Sequence, residues 1–214
     1  MLRVLVLLSA VCVTRGSICC VPRQWEGNEG SELGLLREGA PYPNFIQSSV
    51  NVAYDADNQK VAATQYIDVD GTQIMVKSIM DYKHGVQYSI NGTKCTRTTL
   101  PTTFVENCIP DGAKETQTII GAGGKTMNLR TYTMMVGNLS VTAQVTENGC
   151  IPVSESIVGS SPGQFIHMGT SFTGITPGIS DRTIFNPPVS CMMGPIYPAE
   201  IQMMKRVSFL HPLR

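Results

Sequence analysis

Two pairs of aspartates are the strongest candidates for metal chemistry in this sequence. Asp55 and Asp57 are separated by one residue, and so are Asp68 and Asp70. Carboxylate and carbonyl oxygens spaced in this way in a turn can converge on a hard cation, so the four residues form a candidate calcium site. The twelve-residue calcium loop is absent, and aspartate in a hairpin turn also serves local hydrogen bonds. Both interpretations stay open at this point.

A glycine-rich segment is similar to half of a phosphate-binding loop. Residues 121–126 have the sequence Gly-Ala-Gly-Gly-Lys-Thr, but the full motif requires a glycine where Ile119 stands. The residues that follow alternate as a strand, whereas a phosphate-binding loop opens a helix. The segment is therefore predicted to be a hairpin turn.

Hydrolytic chemistry has little support, because the chain has only three histidines, His84, His167 and His211. His84 precedes a glycine in a predicted turn, and His167 is predicted to be a core or pocket residue. The sequence contains no Gly-x-Ser-x-Gly or His-Glu-x-x-His motif. No catalytic residue is assigned, and the protein is not predicted to be an enzyme.

The first sixteen residues have the order of a secretory signal peptide. Arg3 precedes an apolar run at 4–13, and the short segment that follows ends at a predicted cleavage site after Gly16. Ten apolar residues are too few to span a bilayer, so no transmembrane segment is predicted and the protein is expected to be secreted. An even set of cysteines then remains, which predicts disulfides in an oxidising compartment. These residues are Cys19, Cys20, Cys95, Cys108, Cys150 and Cys191.

Composition and acceptor motifs fit an exported protein. Asn91 and Asn138 each begin an N-glycosylation motif at a predicted turn. The whole chain is 42% hydrophobic and only 15% charged. Without the leader it carries a small net negative charge and no concentrated basic surface, which argues against nucleic-acid binding.

The dominant periodicity is two, which predicts strands with one buried and one wet face. Glycine, asparagine and aspartate turns separate these segments. The predicted strands are 48–54, 60–69, 72–82, 85–91, 95–99, 126–136, 139–147, 150–158 and 164–174. Residues 28–47 are predicted to be a loop with room for one strand, 100–125 a long excursion between hairpins, and 199–210 a short C-terminal helix. The fold class is therefore all-β, with one domain over 17–214.

Several short blocks, taken together, resemble the ependymin-related proteins, which are secreted animal glycoproteins. They are Cys20–Gly27 (CVPRQWEG), Tyr54–Val61 (YDADNQKV), Tyr82–Val86 (YKHGV), Thr93–Cys95 (TKC), Cys150–Val153 (CIPV) and Phe185–Cys191 (FNPPVSC). The blocks follow the order of the family over nearly all of the mature chain. Two cysteines of the vertebrate pattern are missing, which favours an invertebrate member.

The resemblance implies a specific architecture. Family members have two stacked antiparallel β-sheets enclosing an apolar pocket, resemble bacterial lipoprotein carriers and often form homodimers. The resemblance implies the disulfides Cys20–Cys150 and Cys95–Cys191, which leaves Cys19 and Cys108 as the remaining pair.

Two functions follow as hypotheses. The first is a secreted glycoprotein that binds a hydrophobic, lipid-like ligand between its sheets, with calcium as a possible requirement. Ten methionines of the mature chain could line such a cavity, or they could simply fill a core. The alternative is a structural glycoprotein of an extracellular matrix, such as a mineralised shell. The chain lacks the long acidic runs common in mineral-binding proteins.

Overall fold

The computed structural model describes residues 17–69, 72–100 and 103–198, with the backbone alone at 17, 67–69, 72, 73 and 161. The predicted leader and the predicted helix at 199–210 lie outside these residues. The strands are β1 Ser17–Cys20, β2 Gln24–Arg37, β3 Asn44–Asp55, β4 Lys60–Val69, β5 Thr72–Asp81, β6 Val86–Asn91, β7 Lys94–Thr99, β8 Cys108–Pro110, β9 Lys114–Ala122, β10 Lys125–Val136, β11 Leu139–Thr146, β12 Pro152–Ser161, β13 Gln164–Pro177 and β14 Ile196–Tyr197. A 3-10 helix covers Arg182–Phe185 and the α-helix α1 covers Val189–Met192.

The all-β, antiparallel fold class is confirmed. Twelve strands form one continuous sheet in the order β14-β7-β6-β5-β4-β3-β2-β13-β12-β11-β10-β9, and β1 pairs with β8 in a small second sheet. The hydrogen bonds therefore join the strands into one large sheet and a two-stranded one. None of the described helices is long and apolar enough to cross a membrane.

Side-chain alternation gives the large sheet two different faces. The core face carries Trp25, Tyr54 and Phe172, which are all buried. The opposite face carries Ser49 and Ser171 and is called the serine face below. Residues paired across neighbouring strands share a face, so the register assigns every strand residue to one side.

Two apolar clusters cover the core face. In the first, the rings of Trp25 and Tyr54 stack with centroids 5.9 Å apart, and Phe104 stacks on Tyr54 at 5.8 Å. Burial of each large side chain contributes about 1.5–3 kcal/mol. In the second, the small sheet covers the large one, because Ile109 packs on the buried Tyr132.

The serine face is covered at one end by the segment after β13. Phe185 packs there on Ala53, Ala62 and Ile79. The Arg97 guanidinium donates hydrogen bonds to backbone carbonyls at 192 and 194, which fixes α1 against the edge of the sheet. The rest of this face carries most of its residues exposed or half-buried.

Residues 28–47 are mostly strand, in β2 and the start of β3, and not the loop with one strand that was predicted. The glycines of β2 lower its strand propensity, yet β13 and β3 hold it on both sides over its full length. The glycines permit close packing: a methyl group at Gly27 would stand 2.4 Å from the Ile175 side chain and 3.1 Å from its Cα. At Gly34 it would stand 3.3 Å from the Phe45 ring. The predicted excursion at 100–125 likewise contains β8 and β9.

The disulfides differ from the implied pairing at two of three positions. The structure joins Cys19 to Cys150 and Cys20 to Cys108, so the pairings Cys20–Cys150 and Cys19–Cys108 were wrong. Strand register explains the exchange, because Cys20 lies directly opposite Cys108. Its neighbour Cys19 points the other way, into the cluster that contains Cys150. Cys95 is bonded to Cys191, as the resemblance implied.

Candidate functional site

A recess lies on the serine face at the centre of the sheet. It has a volume of about 740 Å³, within the range of small-molecule sites. Eight of its twelve lining residues belong to the serine face by register, and Gly30 and Gly169 form its floor. Its lining residues are Gly30, Ser31, Glu32, Gln47, Ser48, Ser49, Tyr66, Ser154, Glu155, Gly169, Thr170 and Ser171. The recess is open, and glycines and polar residues supply most of its lining.

The polar groups of the recess belong to hydrogen-bonded networks on the sheet. Gln47 Nε2 donates to Glu32 Oε1 at 2.9 Å. Ser154 Oγ donates to Gln144 Oε1 at 2.7 Å, and Gln144 Nε2 donates in turn to Thr131 Oγ1 at 3.2 Å. Hydroxyl and amide groups held in this way can donate to, or accept from, a polar headgroup without losing their orientation.

Large apolar side chains border the recess on the same face. Next to Gln47 on β3, the sheet exposes Phe45, which is 72% accessible. On the other side of the recess Met75 is 51% accessible. The further exposed apolar residues of this face are Leu36, Tyr66, Val158 and Phe165. Exposed apolar groups gathered on one face are typical of binding surfaces.

The structure does not bring Asp55 and Asp57 together as a cation site. Asp55 is 2% accessible and accepts from Gln24 Nε2 at 3.0 Å and from the Asn58 amide nitrogen atoms N at 3.0 Å and Nδ2 at 2.7 Å. Asp57 pairs instead with the Arg23 Nε at 2.6 Å. Burial would raise the pKa of Asp55, but the hydrogen bonds from Asn58 and Gln24 outweigh it and lower that pKa.

The second aspartate pair cannot be placed, because Asp70 and the side chain of Asp68 lie outside the described residues. Within the described part of the chain, no three His, Cys, Asp or Glu side chains form a group that could hold a metal. Calcium at these four aspartates therefore stays a prediction.

His84 takes part in contacts with Asp81 that stabilise a turn, and these contacts do not form a catalytic group. Asp81 Oδ1 accepts from the His84 backbone N at 3.1 Å and shares a hydrogen bond with its ring Nδ1 at 2.9 Å. Lys60 Nζ lies 3.2 Å from Asp81 Oδ2. Burial would raise the pKa of Asp81, but these hydrogen bonds from His84 and Lys60 more than offset it and lower the pKa. The contacts tie together the ends of β4, β5 and the following turn.

The remaining predicted residues occupy exposed positions. Asn91 and Asn138 are exposed beside the turns of the β6–β7 and β10–β11 hairpins. His167 is exposed on the serine face, so its prediction as a core or pocket residue was wrong. Gly30, Glu32 and Gly169 were not predicted as site residues, because glycine and glutamate have low strand propensity and carry no binding motif here.

Fold and site define a disulfide-bonded, all-β protein with an open, mixed polar and apolar recess on one sheet face. The Ependymin family model matches residues 70–191, which is more than half of the chain. The chain belongs to the Ependymin family.

Two relatives and one solved structure show similarity. The chain is 26% identical over 210 residues to ependymin-related protein 1 from Haliotis asinina, covering 89% of this chain and 98% of that protein. It is 25% identical over 189 residues to mammalian ependymin-related protein 1 from Mus musculus, covering 81% and 75%. A DUF1329 family protein from Desulfovibrio piger aligns with a TM-score of 0.33 at 8% identity, covering 77% of this chain and 90% of that one. A similarity of that size supports no conclusion on fold or ligand.

Proposed function

We propose that this protein is a secreted glycoprotein that binds an amphiphilic, lipid-like molecule in the recess of the serine face. The single observation that carries the proposal is that serine and glutamine side chains around the recess lie beside a border of exposed apolar side chains. A headgroup would contact Ser49, Ser154 and Ser171, and an apolar chain would extend across Phe45 and its neighbours.

The chemistry of the recess supports an amphiphile over a fully apolar ligand. An apolar molecule placed on the floor would cover hydroxyl and amide groups without replacing their hydrogen bonds to water, which costs free energy. Along the border, each methylene removed from water contributes about 0.8 kcal/mol. A short chain lying on Phe45 and the neighbouring Leu36 therefore gains affinity while the headgroup keeps the polar groups of the recess hydrogen-bonded.

Gly169 allows a test that leaves the fold intact. A methyl group at this residue would meet no atom within 4 Å, so a larger side chain would project into the recess. Gly169→Leu should block the floor and abolish binding of a lysophospholipid or fatty-acid probe. Gly194→Leu is the matched control, because a methyl group there also meets nothing within 4 Å and the residue lies outside the recess.

The measurement is titration calorimetry with the probe, together with native mass spectrometry of the secreted protein. Expected results are a bound amphiphile on the wild type and on Gly194→Leu, and none on Gly169→Leu. Binding that Gly169→Leu leaves unchanged would place the ligand elsewhere. A wild-type protein that is empty and ignores both probes would refute the proposed function.

Secretion and glycosylation belong to the same proposal. The three disulfides support an oxidising compartment, and the exposure of Asn91 and Asn138 in hairpins supports their modification. Removal of glycans by an amidase should lower the mass of the secreted protein and convert both asparagines to aspartates. An unchanged mass would contradict this part of the proposal.

A matrix role is the second candidate, and the polar part of the serine face favours it. Thr118, Thr131 and Gln144 continue the hydroxyl and amide network beyond the recess, with Thr118 Oγ1 2.8 Å from Thr131 Oγ1. Such a surface can hydrogen-bond to a hydrated polymer. Recovery of the protein from decalcified matrix and not from body fluid would support this candidate over a soluble carrier.

A further inference from the structure

The charged side chains that line the recess are both acids. They are Glu32 and Glu155, and the described lining contains no lysine, arginine or histidine. Glu155 is 3% accessible and lies opposite Thr170, two residues before the core-face residue Phe172, so its side chain lies on the other side of the sheet. Glu32 is exposed on the serine face and supplies the charge that a ligand in the recess would meet.

The Glu32 carboxylate is held in place but keeps one oxygen for a ligand. Gln47 Nε2 donates to Oε1 at 2.9 Å. The second oxygen, Oε2, makes no hydrogen bond to the described residues. Gln47 therefore orients the carboxylate without neutralising its charge.

The nearest basic residues of this face, by strand register, lie outside the recess. Lys77 is on β5, where its charge acts on Asp181. His167 is exposed on β13. Neither lines the recess, so a headgroup bound there lies closer to the negative charge of Glu32 than to either base.

An aromatic ring lies on the other side of β3 from Glu32. Tyr66 is opposite Ser49, and Glu32 is opposite Gln47, two residues away on the same strand. Two strand spacings of about 4.8 Å and a two-residue step of about 6.6 Å put the Cα atoms of Glu32 and Tyr66 roughly 12 Å apart. Tyr66 is 41% accessible. That distance suits a small group that lies over β3 and contacts both the carboxylate and the ring.

Apolar surface begins directly beside Glu32. Two residues further along β2, Gly34 lies opposite Phe45, and the Phe45 ring lies over that glycine. Leu36 follows on the same face and is 37% accessible. A headgroup at Glu32 is therefore next to a surface that an alkyl chain can cover.

We propose that the recess selects amphiphiles with an ammonium headgroup, which lies between the Glu32 carboxylate and the Tyr66 ring. This inference rests on the proposed function and narrows its class of ligand. An ammonium is attracted by the carboxylate and by the face of the aromatic ring. A carboxylate or phosphate headgroup is repelled by Glu32 and gains no compensating base in the described lining. The amine of a long-chain base and the choline of a lysolipid share the required chemistry.

The experiment measures, by titration calorimetry on the full secreted chain, the affinities for decyltrimethylammonium and decanoate. The wild type should bind decyltrimethylammonium about tenfold more tightly. Glu32→Gln keeps the length of the side chain and the acceptor for Gln47, and it should remove that preference. Glu38→Gln is the matched control, because it makes the same change in net charge at an exposed residue outside the recess and should keep the preference.

The aromatic contact has its own test. Tyr66→Leu should weaken binding of decyltrimethylammonium about two- to fivefold and leave that of decanoate unchanged. Tyr66→Phe keeps the ring and should bind both probes like the wild type. Sphingosine and lysophosphatidylcholine represent the two natural sources of the headgroup, and at least one should bind the wild type more tightly than Glu32→Gln.

The outcomes separate this inference from the proposed function. Equal affinities for the two decyl probes, or a preference that Glu32→Gln leaves unchanged, would overturn the ammonium assignment. Loss of the preference in Glu38→Gln as well would assign it to net charge and also overturn it. In each case binding that Gly169→Leu abolishes would keep the recess as the site. A wild type that binds none of these amphiphiles would refute the proposed function itself.

Discussion

Replacing Asp55 tests whether its carboxylate is a structural acceptor or a calcium ligand. Asp55→Asn keeps the shape of the side chain but turns one acceptor oxygen into an amide donor that faces Asn58 Nδ2. The carboxylate accepts three hydrogen bonds in a buried position. Asn58 is exposed and can recover part of its bonding from water.

The expected magnitude follows from those contacts. Hydrogen bonds to a charged acceptor contribute about 1.5–3 kcal/mol each, and an orphaned buried donor costs about 1–3 kcal/mol. With partial recovery at Asn58, the loss should be about 2–3 kcal/mol. For a domain of this size that corresponds to roughly 5–10 °C in Tm. Asp57→Ala is the matched control: its ion pair with Arg23 is exposed and should contribute under about 1 kcal/mol.

The pH dependence of the free energy of unfolding tests the same interpretation. The folded-state pKa of Asp55 is lowered, so its contribution is complete above the unfolded value near 3.8 and is lost as pH falls through the folded pKa. Stability of the wild type should therefore fall in acid more steeply than that of Asp55→Asn, as measured by denaturant unfolding between pH 2 and 6.

Calcium provides the refuting result. As a structural acceptor, Asp55 should make its full contribution in the presence of a chelator. Equal losses in Asp55→Asn and Asp57→Ala, together with a wild type that a chelator destabilises by the same amount, would refute this reasoning and support a shared cation.

Two further predictions concern backbone packing and sulfur. Gly27→Ala should destabilise by about 1–3 kcal/mol in chemical denaturation, because its methyl group would overlap the packed β13 segment. Gly169→Ala has free space in a strand and should stabilise by about 0.5 kcal/mol; a loss equal to that of Gly27→Ala would contradict the packing argument. Replacing Cys20 and Cys108 together by serine should leave no free thiol on thiol titration. Replacing Cys20 and Cys150 should leave two, and the reverse result would restore the pairing implied by the resemblance.

The local sequence pattern was sufficient to predict a strand where apolar and polar residues alternate and a specific turn sequence follows. Leu139–Thr146 alternates without a break, and the register buries its odd positions as the pattern predicts. The glycine-rich segment at 121–126 is a hairpin turn, because two consecutive glycines with positive φ suit that turn and a strand follows them. These features depend on contacts close in sequence.

Local pattern failed at β2, where glycines interrupt the alternation. This strand pairs with β13, about 140 residues further along the chain, and its position between two partners outweighs its weak propensity. The recess follows from the same long-range pairing, because its lining comes from five strands of which β12 and β13 are distant from the other three.

The sequence alone determined the class of fold, the even set of cysteines and the exposed acceptor asparagines, because each follows from residue type and short spacing. Only the tertiary structure determined which cysteines are bonded to each other and why Asp55 accepts hydrogen bonds from amide groups. It also determined where on the sheet the recess lies beside exposed apolar side chains. A period of two tells which residues share a face, but not which distant strand lies beside them. That choice depends on the register of the whole sheet, and the binding surface follows from it.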